Sequence, residues 1–195
     1  MSREGAPIEE RYVVPAVGEG GMTALHHAAY CNDPGAIRAA LRQGIPVDVR
    51  DDGAWTPLCW SVDMAQAWGE PELAVSLLLA AGASPNAVDN AGRSVLMLAC
   101  GRGNEAILAR LLAAGADVHA RSGGTTPLHQ AAGSNFIGAI RTLLALGVDP
   151  AITDARGLTP EERAEECGFD ESVAVLRAAR STASDASEQT RSGSR

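Results

Sequence analysis

Five segments of this chain open a helix in the same way, and their regular spacing limits the fold more than any other feature. They read Gly-Met-Thr-Ala-Leu-His-His-Ala-Ala from Gly21, Trp-Thr-Pro-Leu-Cys-Trp-Ser from Trp55, Gly-Arg-Ser-Val-Leu-Met-Leu-Ala from Gly92, Gly-Thr-Thr-Pro-Leu-His-Gln-Ala-Ala from Gly124 and Gly-Leu-Thr-Pro-Glu-Glu-Arg-Ala from Gly157. The anchors Thr23, Thr56, Ser94, Thr126 and Thr159 are separated by 33, 38, 32 and 33 residues. A glycine recurs 21 residues after three of them, at Gly44, Gly115 and Gly147, whereas Gly82 follows its anchor by 26. The second unit therefore carries a five-residue insertion, expected between its two helices.

Each unit has its own start and stop chemistry. Thr or Ser before Pro is a helix N-cap followed by proline at the first helical position, where its missing N–H costs nothing. Glycine after a leucine run, as at Gly82, Gly115 and Gly147, is a helix stop in the left-handed conformation. Between start and stop there is space for two helices of roughly eight to ten residues, too short to be stable alone. Stacking rescues such pairs, because each unit's apolar side is covered by its neighbours. Aromatics make up only 4% of residues, so that core must be closely packed from small aliphatic side chains, which favours helix on helix.

The period and the T-P-L-H-x-A pattern, present as Thr23-Ala-Leu-His and in full as Thr126-Pro-Leu-His, resemble the ankyrin repeat. The resemblance implies an all-α solenoid of about five repeats with short β-turn or hairpin fingers. It covers residues 20–180, with repeats near 20–50, 51–88, 89–121, 122–153 and 154–180. Residues 1–19 form an N-terminal extension whose Tyr12, Val13, Val14 and Val17 are expected to cover part of the first repeat's edge. The small, polar stretch 181–195 is expected to be a disordered tail. Glu161, Glu162, Arg163, Glu165 and Glu166 replace more apolar residues of earlier units, as in a terminal capping repeat with a solvated outer face.

Charge and composition exclude several function classes. With a net charge of −8 and no basic stripe, the chain lacks what nucleic-acid binding requires. Apolar runs fall far short of the roughly 20 residues needed to span a bilayer. The N-terminal MSREGAPIEERY lacks the apolar core of a secretory signal. Cys31, Cys59, Cys100 and Cys167 have no metal-ligand spacing and are expected to be reduced thiols. The chain is expected to be cytoplasmic and monomeric, with no cofactor.

No catalytic signature stands out: GxSxG, HExxH and the phosphate-binding loop are all missing from the sequence. His26 and His129 occupy the signature histidine, which the resemblance assigns to tying a helix start to a neighbouring turn. Cys59 and Met97 replace it in repeats two and three. Asp51, Asp52, Asp89 and Asp154 precede the repeat glycine, where aspartate bonds its own backbone two residues on; that explains them better than a metal site at Asp51-Asp52. Repeat two departs at Ala54, where the other repeats have glycine.

The aromatic residues are unevenly distributed. All three tryptophans, Trp55, Trp60 and Trp68, belong to repeat two. In the family that the sequence resembles, the residue before the anchor projects from the finger, and the open side of the inner helix lines a concave groove. On that basis Met22, Tyr30, Trp55, Trp60, Met64, Arg93, Arg102, Thr125 and Gln130 are the candidate partner-binding residues. Tryptophan, tyrosine and arginine dominate binding hot spots. Trp60 packing under the insertion and Trp68 pinning it to the solenoid are the structural alternatives. The expected function is a non-catalytic scaffold holding a protein on its concave face. The alternative is a regulatory or inhibitory subunit, for an enzyme encoded by a neighbouring gene, acting through the acidic cap.

Overall fold

The computed structural model describes residues 19–64 and 72–192, with side chains described for residues 20–64 and 72–181. After a 3-10 turn at Glu19–Gly21, ten α-helices follow in pairs. The inner members are α1 (Ala24–Tyr30), α3 (Pro57–Asp63), α5 (Val95–Arg102), α7 (Pro127–Gly133) and α9 (Pro160–Cys167). The outer members are α2 (Pro34–Arg42), α4 (Glu72–Ala80), α6 (Glu105–Ala113), α8 (Ile137–Ala145) and α10 (Asp170–Ser192). Each inner helix packs on its partner and on the next inner helix, and the outer helices form a parallel second row. Fingers of turn, with isolated β-bridges Val88–Ser94 and Ser122–Thr125, join one pair to the next.

The expected caps are in place. Side-chain oxygens of Thr56, Ser94, Thr126 and Thr159 accept from the backbone N–H three residues on. The first four outer helices end on glycines at φ 82–91°, a conformation that a Cβ would oppose, and the next N–H reaches back into the last turn, as Ala116 N–H does to Leu111 O at 3.0 Å. The longer connection of repeat two falls between α3 and α4, and residues 65–71, including Trp68, lie outside the described residues.

The core is a row of equivalent positions. Leu25, Leu58, Leu96 and Leu128, two residues after each anchor, are fully buried, as are Ile37, Leu78, Leu111 and Leu143 on the outer helices. No pair could bury these residues alone; each leucine is covered by the following pair.

The final pair corrects one expectation and shifts another. Glu161 stands where the other repeats place the core leucine, and it is buried at 4% exposure rather than solvated. Arg177 and Arg180 of α10 fold back onto it: Arg177 Nε donates to Oε1 at 2.9 Å, and Arg180 Nη1 stands 3.0 Å from Oε2. The expected disordered stretch from Ser181 is helical as far as Ser192, the continuation of α10. No glycine or proline interrupts residues 170–192, and the next glycine is Gly193, so nothing in the backbone chemistry stops the helix earlier. Residues 1–18 of the N-terminal extension lie outside the described residues, and so do the covering contacts expected of Tyr12, Val13, Val14 and Val17.

Candidate interaction surface

Fingers and inner helices line one side of the stack, and repeat two sets its chemistry. The Asp51 carboxylate begins the arrangement. Its Oδ1 accepts from Gly53 N–H at 2.9 Å and from Trp55 N–H at 2.8 Å, which closes the finger turn. Its Oδ2 accepts the indole N–H of Trp60 at 2.8 Å. One side chain therefore fixes the finger that carries Trp55 and the rotamer of Trp60 on α3. The two indole rings meet at 5.0 Å between centroids with a 46° tilt, and Tyr30 of α1 packs edge-on against Trp60 at 5.7 Å and 68°.

Repeat three continues the strip with a cation. Asp89, buried at 5% exposure, holds its own finger turn through Ala91 N–H and Arg93 N–H. Its Oδ2 accepts Arg93 Nε at 2.8 Å and faces Nη2 at 2.7 Å. Thus oriented, the Arg93 guanidinium lies 5.7 Å from the centre of the Trp55 ring, within cation–π range. Farther along α5, Arg102 pairs with Asp63 of α3 through one carboxylate oxygen.

Beyond the aromatic strip the surface opens into a notch of about 210 Å³, with Asp63, Arg102, Gln130 and Ser134 on its rim and Met97 and Leu98 among its walls. Seven residues after the anchor, Tyr30 and Asp63 are followed by Gly101 and Gly133, so the side chains that build up repeats one and two are missing from repeats three and four. Gly101 is part of the notch lining.

Of the candidate residues, Tyr30, Trp60, Trp55 and Arg93 form one chain of contacts, and Arg102 and Gln130 share the notch. Met22 and Met64 are half-buried at the finger and at the α3 C-cap. Thr125 sits in the fourth finger, its backbone paired with Ser122 at 2.9 Å in both directions. The turn role expected of Asp51, Asp89 and Asp154 is observed, but the second oxygen's hold on Trp60 and Arg93 went unread, as did the pairing of Asp63 with Arg102. The legible signal was the aspartate five residues ahead of the anchor in repeats two, three and five.

His26 ties the first repeat to this surface. Its Nδ1 accepts from Thr23 N–H at 3.0 Å, which leaves the proton on Nε2, and Nε2 donates to Trp55 O at 3.0 Å. His129 does the same between Thr126 and Leu158 O at 2.9 Å. Burial lowers the pKa of both imidazoles, against the smaller opposing pull of the carbonyls they bond. Repeats two and three lack this tie, since Cys59 and Met97 stand at its position. All four cysteines are free thiols; burial pushes Cys100 up to about 12 and raises Cys59 and Cys31, which makes these three poor nucleophiles at neutral pH.

A row of helix pairs joined by fingers and tied by buried histidines defines a helical repeat solenoid. Comparison with known families narrows the class: the ankyrin-repeat profile matches residues 20–52, and the profile for three consecutive ankyrin repeats matches residues 62–154. The chain belongs to the ankyrin-repeat family. Among its relatives, the mouse B-cell lymphoma 3 protein homolog is 31% identical over 151 residues, 74% of this chain and 33% of that protein. The Monodelphis domestica cyclin-dependent kinase inhibitor 2A is 36% identical over 115 residues, 58% of this chain and 66% of that protein. The Dirofilaria immitis L-asparaginase is 30% identical over 158 residues, 80% of this chain but only 26% of that enzyme. The chain thus spans about a third of the first of these relatives. Among the described residues no helix is long and apolar enough to cross a membrane.

Proposed function

We propose that the chain is a non-catalytic scaffold that holds a protein partner on the face built by its fingers and inner helices, centred on repeat two. The observation that carries this reading is the contiguous strip Tyr30, Trp60, Trp55 and Arg93, half-buried and oriented before any partner arrives. Aromatic and arginine anchors of this kind are each worth about 2 kcal/mol or more when a partner desolvates them. Asp51 and Asp89 fix the rotamers of Trp60 and Arg93, so little side-chain freedom is left to lose on binding. Met22, Met64, Arg102, Thr125 and Gln130 extend the surface on either side. The protein acts as a cytoplasmic monomer in this reading, with no cofactor.

Relatives named as inhibitors, among them the kinase inhibitor above, are consistent with a partner whose own contacts are blocked by this surface. The acidic-cap alternative has weaker support. Glu161 is buried against Arg177, Glu165 pairs with Arg177 and Glu166 with Arg156. Glu162 caps α9 by accepting from Thr159 N–H at 2.7 Å, which, with the Thr159 hydroxyl, lowers its pKa. Those carboxylates serve the cap itself. Trp55→Ala should weaken partner capture about tenfold or more while the helical circular-dichroism signal holds; capture that is unchanged would remove the groove reading. Charge reversal at Glu162 and Glu166 tests the cap reading, which requires the loss of a salt-sensitive partner.

A further inference from the structure

We infer that the partner segment on repeats one and two is basic, with an arginine or lysine side chain laid over the Trp60 and Tyr30 rings. This rests on the groove reading above and adds the chemistry of what fills it.

Charge is the first observation. The fingers and inner helices of the first two pairs, residues 20–33 and 51–64, contain Asp33, Asp51, Asp52 and Asp63 and neither arginine nor lysine. Asp33 caps α2, Asp51 holds the Trp60 indole, and Asp52 is exposed beside Gly21. Their hydrogen bonds are local, but their negative potential extends over roughly a Debye length, about 8–10 Å at physiological salt. The arginines that border this stretch are each engaged. Arg50 Nη1 donates to Val88 O at 3.0 Å, Arg93 is paired with Asp89, and Arg102 with Asp63.

The rings are the second observation, independent of the charges. A guanidinium on an aromatic face is already part of this surface, since Arg93 lies 5.7 Å over Trp55. Trp60 and Tyr30, next in the strip, are half-buried and carry no such cation among the described residues. Their rings meet edge-on at 5.7 Å and 68°, and both side chains stay partly exposed. Asp63, one turn beyond Trp60 on α3, takes Arg102 Nε and Nη2 through Oδ1 alone, so Oδ2 has no hydrogen bond among the described residues. A cation stacked on Trp60 would find that second oxygen one helical turn away. An acidic segment would instead meet Asp33, Asp51 and Asp52, which have no arginine partner among the described residues, while Arg93 and Arg102 are already paired with Asp89 and Asp63.

The test uses the full chain and two short labelled peptides, one alternating arginine with glycine and one alternating glutamate with glycine, followed by fluorescence anisotropy at low and at physiological salt. The arginine peptide should bind at least about tenfold tighter than the glutamate peptide. Trp60→Leu should weaken it about fivefold or more, Asp63→Asn should weaken it less, and the remote Glu171→Gln should leave it unchanged. Should Trp60→Leu fail to fold by circular dichroism, Tyr30→Leu carries the same comparison from the neighbouring helix. Equal or tighter binding of the glutamate peptide overturns the inference. So does arginine-peptide binding that ignores Trp60 and Tyr30, which would be diffuse attraction to an acidic protein. If Trp55→Ala abolishes partner capture and the arginine peptide still fails to bind, only this inference falls; if capture survives Trp55→Ala, the groove reading falls with it.

Discussion

Repeats two and three use the same device to different ends. Five residues ahead of the capping residue, Asp51 and Asp89 each close a finger turn with Oδ1 and reach out of it with Oδ2. In repeat two that second oxygen takes an indole, and in repeat three a guanidinium. The backbone scheme is common to both; the anchors at Trp60 and Arg93 decide what each finger presents. Seven residues after the anchor the two diverge again, Asp63 against Gly101, so that an aromatic, acidic surface gives way to a notch. An ankyrin array can thus keep its core row of leucines constant and vary its face one position at a time.

The sharpest way to break this comparison is to remove the shared device from each repeat in turn. Asp51→Ala loses two turn bonds and the indole bond and should cost about 3 kcal/mol, since hydrogen bonds to charged groups are each worth about 1.5–3 kcal/mol but do not add fully. Asp89→Ala should cost a similar amount in chemical denaturation and shift the tryptophan emission less, since it releases Arg93 from over Trp55 whereas Asp51→Ala frees an indole N–H. Equal spectral changes in the two variants would show that Asp51 does not orient Trp60.

Substitutions on the surface itself come next. Trp60→Ala should weaken partner binding about tenfold, close to 1.4 kcal/mol, whereas Gln130→Ala at the notch should change it less than about threefold. Reversal of that order would move the centre of binding to repeats three and four.

The histidine ties distinguish repeats one and four from repeats two and three. His26 and His129 have folded-state pKa values below the ordinary 6.5 because burial disfavours the imidazolium. The unfolded chain therefore takes up more protons at mildly acidic pH, and stability falls as pH drops below about 6.5 toward the lowered values. Denaturation midpoints between pH 7 and pH 5 should decline for the wild type, and less steeply for a variant carrying His26→Gln and His129→Gln. An equal decline in both would place the acid sensitivity elsewhere.

The smallest effect concerns the one finger whose position two residues ahead of the anchor is not glycine. Ala54 has φ 59°, where Gly21, Gly92, Gly124 and Gly157 occupy the equivalent positions at 74–81°. A left-handed alanine costs about 1–2 kcal/mol, offset in part by the greater chain entropy that glycine loses on folding. Ala54→Gly should therefore stabilise by about 0.5–1 kcal/mol, and a destabilised variant would show that this finger is not strained.

What could be read in the sequence was whatever repeats. The anchors recur at near-constant spacing and three of the four stop glycines at one offset, so each repeat corroborates the others, while the histidine ties followed from the family resemblance. That Tyr30, Trp55, Trp60 and Arg93 lie on one face followed from the family resemblance, which sets fingers and inner helices on the same side. What escaped depended on contacts between units. The acidic cap looked solvated because Arg177 and Arg180, which neutralise Glu161, lie a helix later in the chain. The notch at Gly101 is an absence of side chain between neighbours, which no single segment displays. The helical course of residues 181–192 was missed because small polar residues tolerate both helix and coil, and composition alone does not choose.

Side-chain oxidation footprinting of the chain, free and bound to a captured partner, tests the proposed surface most directly. The account predicts that Tyr30, Trp55 and Trp60 become protected in the complex, while Leu146 and Val175 on the outer row react as before. Protection confined to that outer row, with the three aromatic residues as reactive as in the free chain, would contradict it.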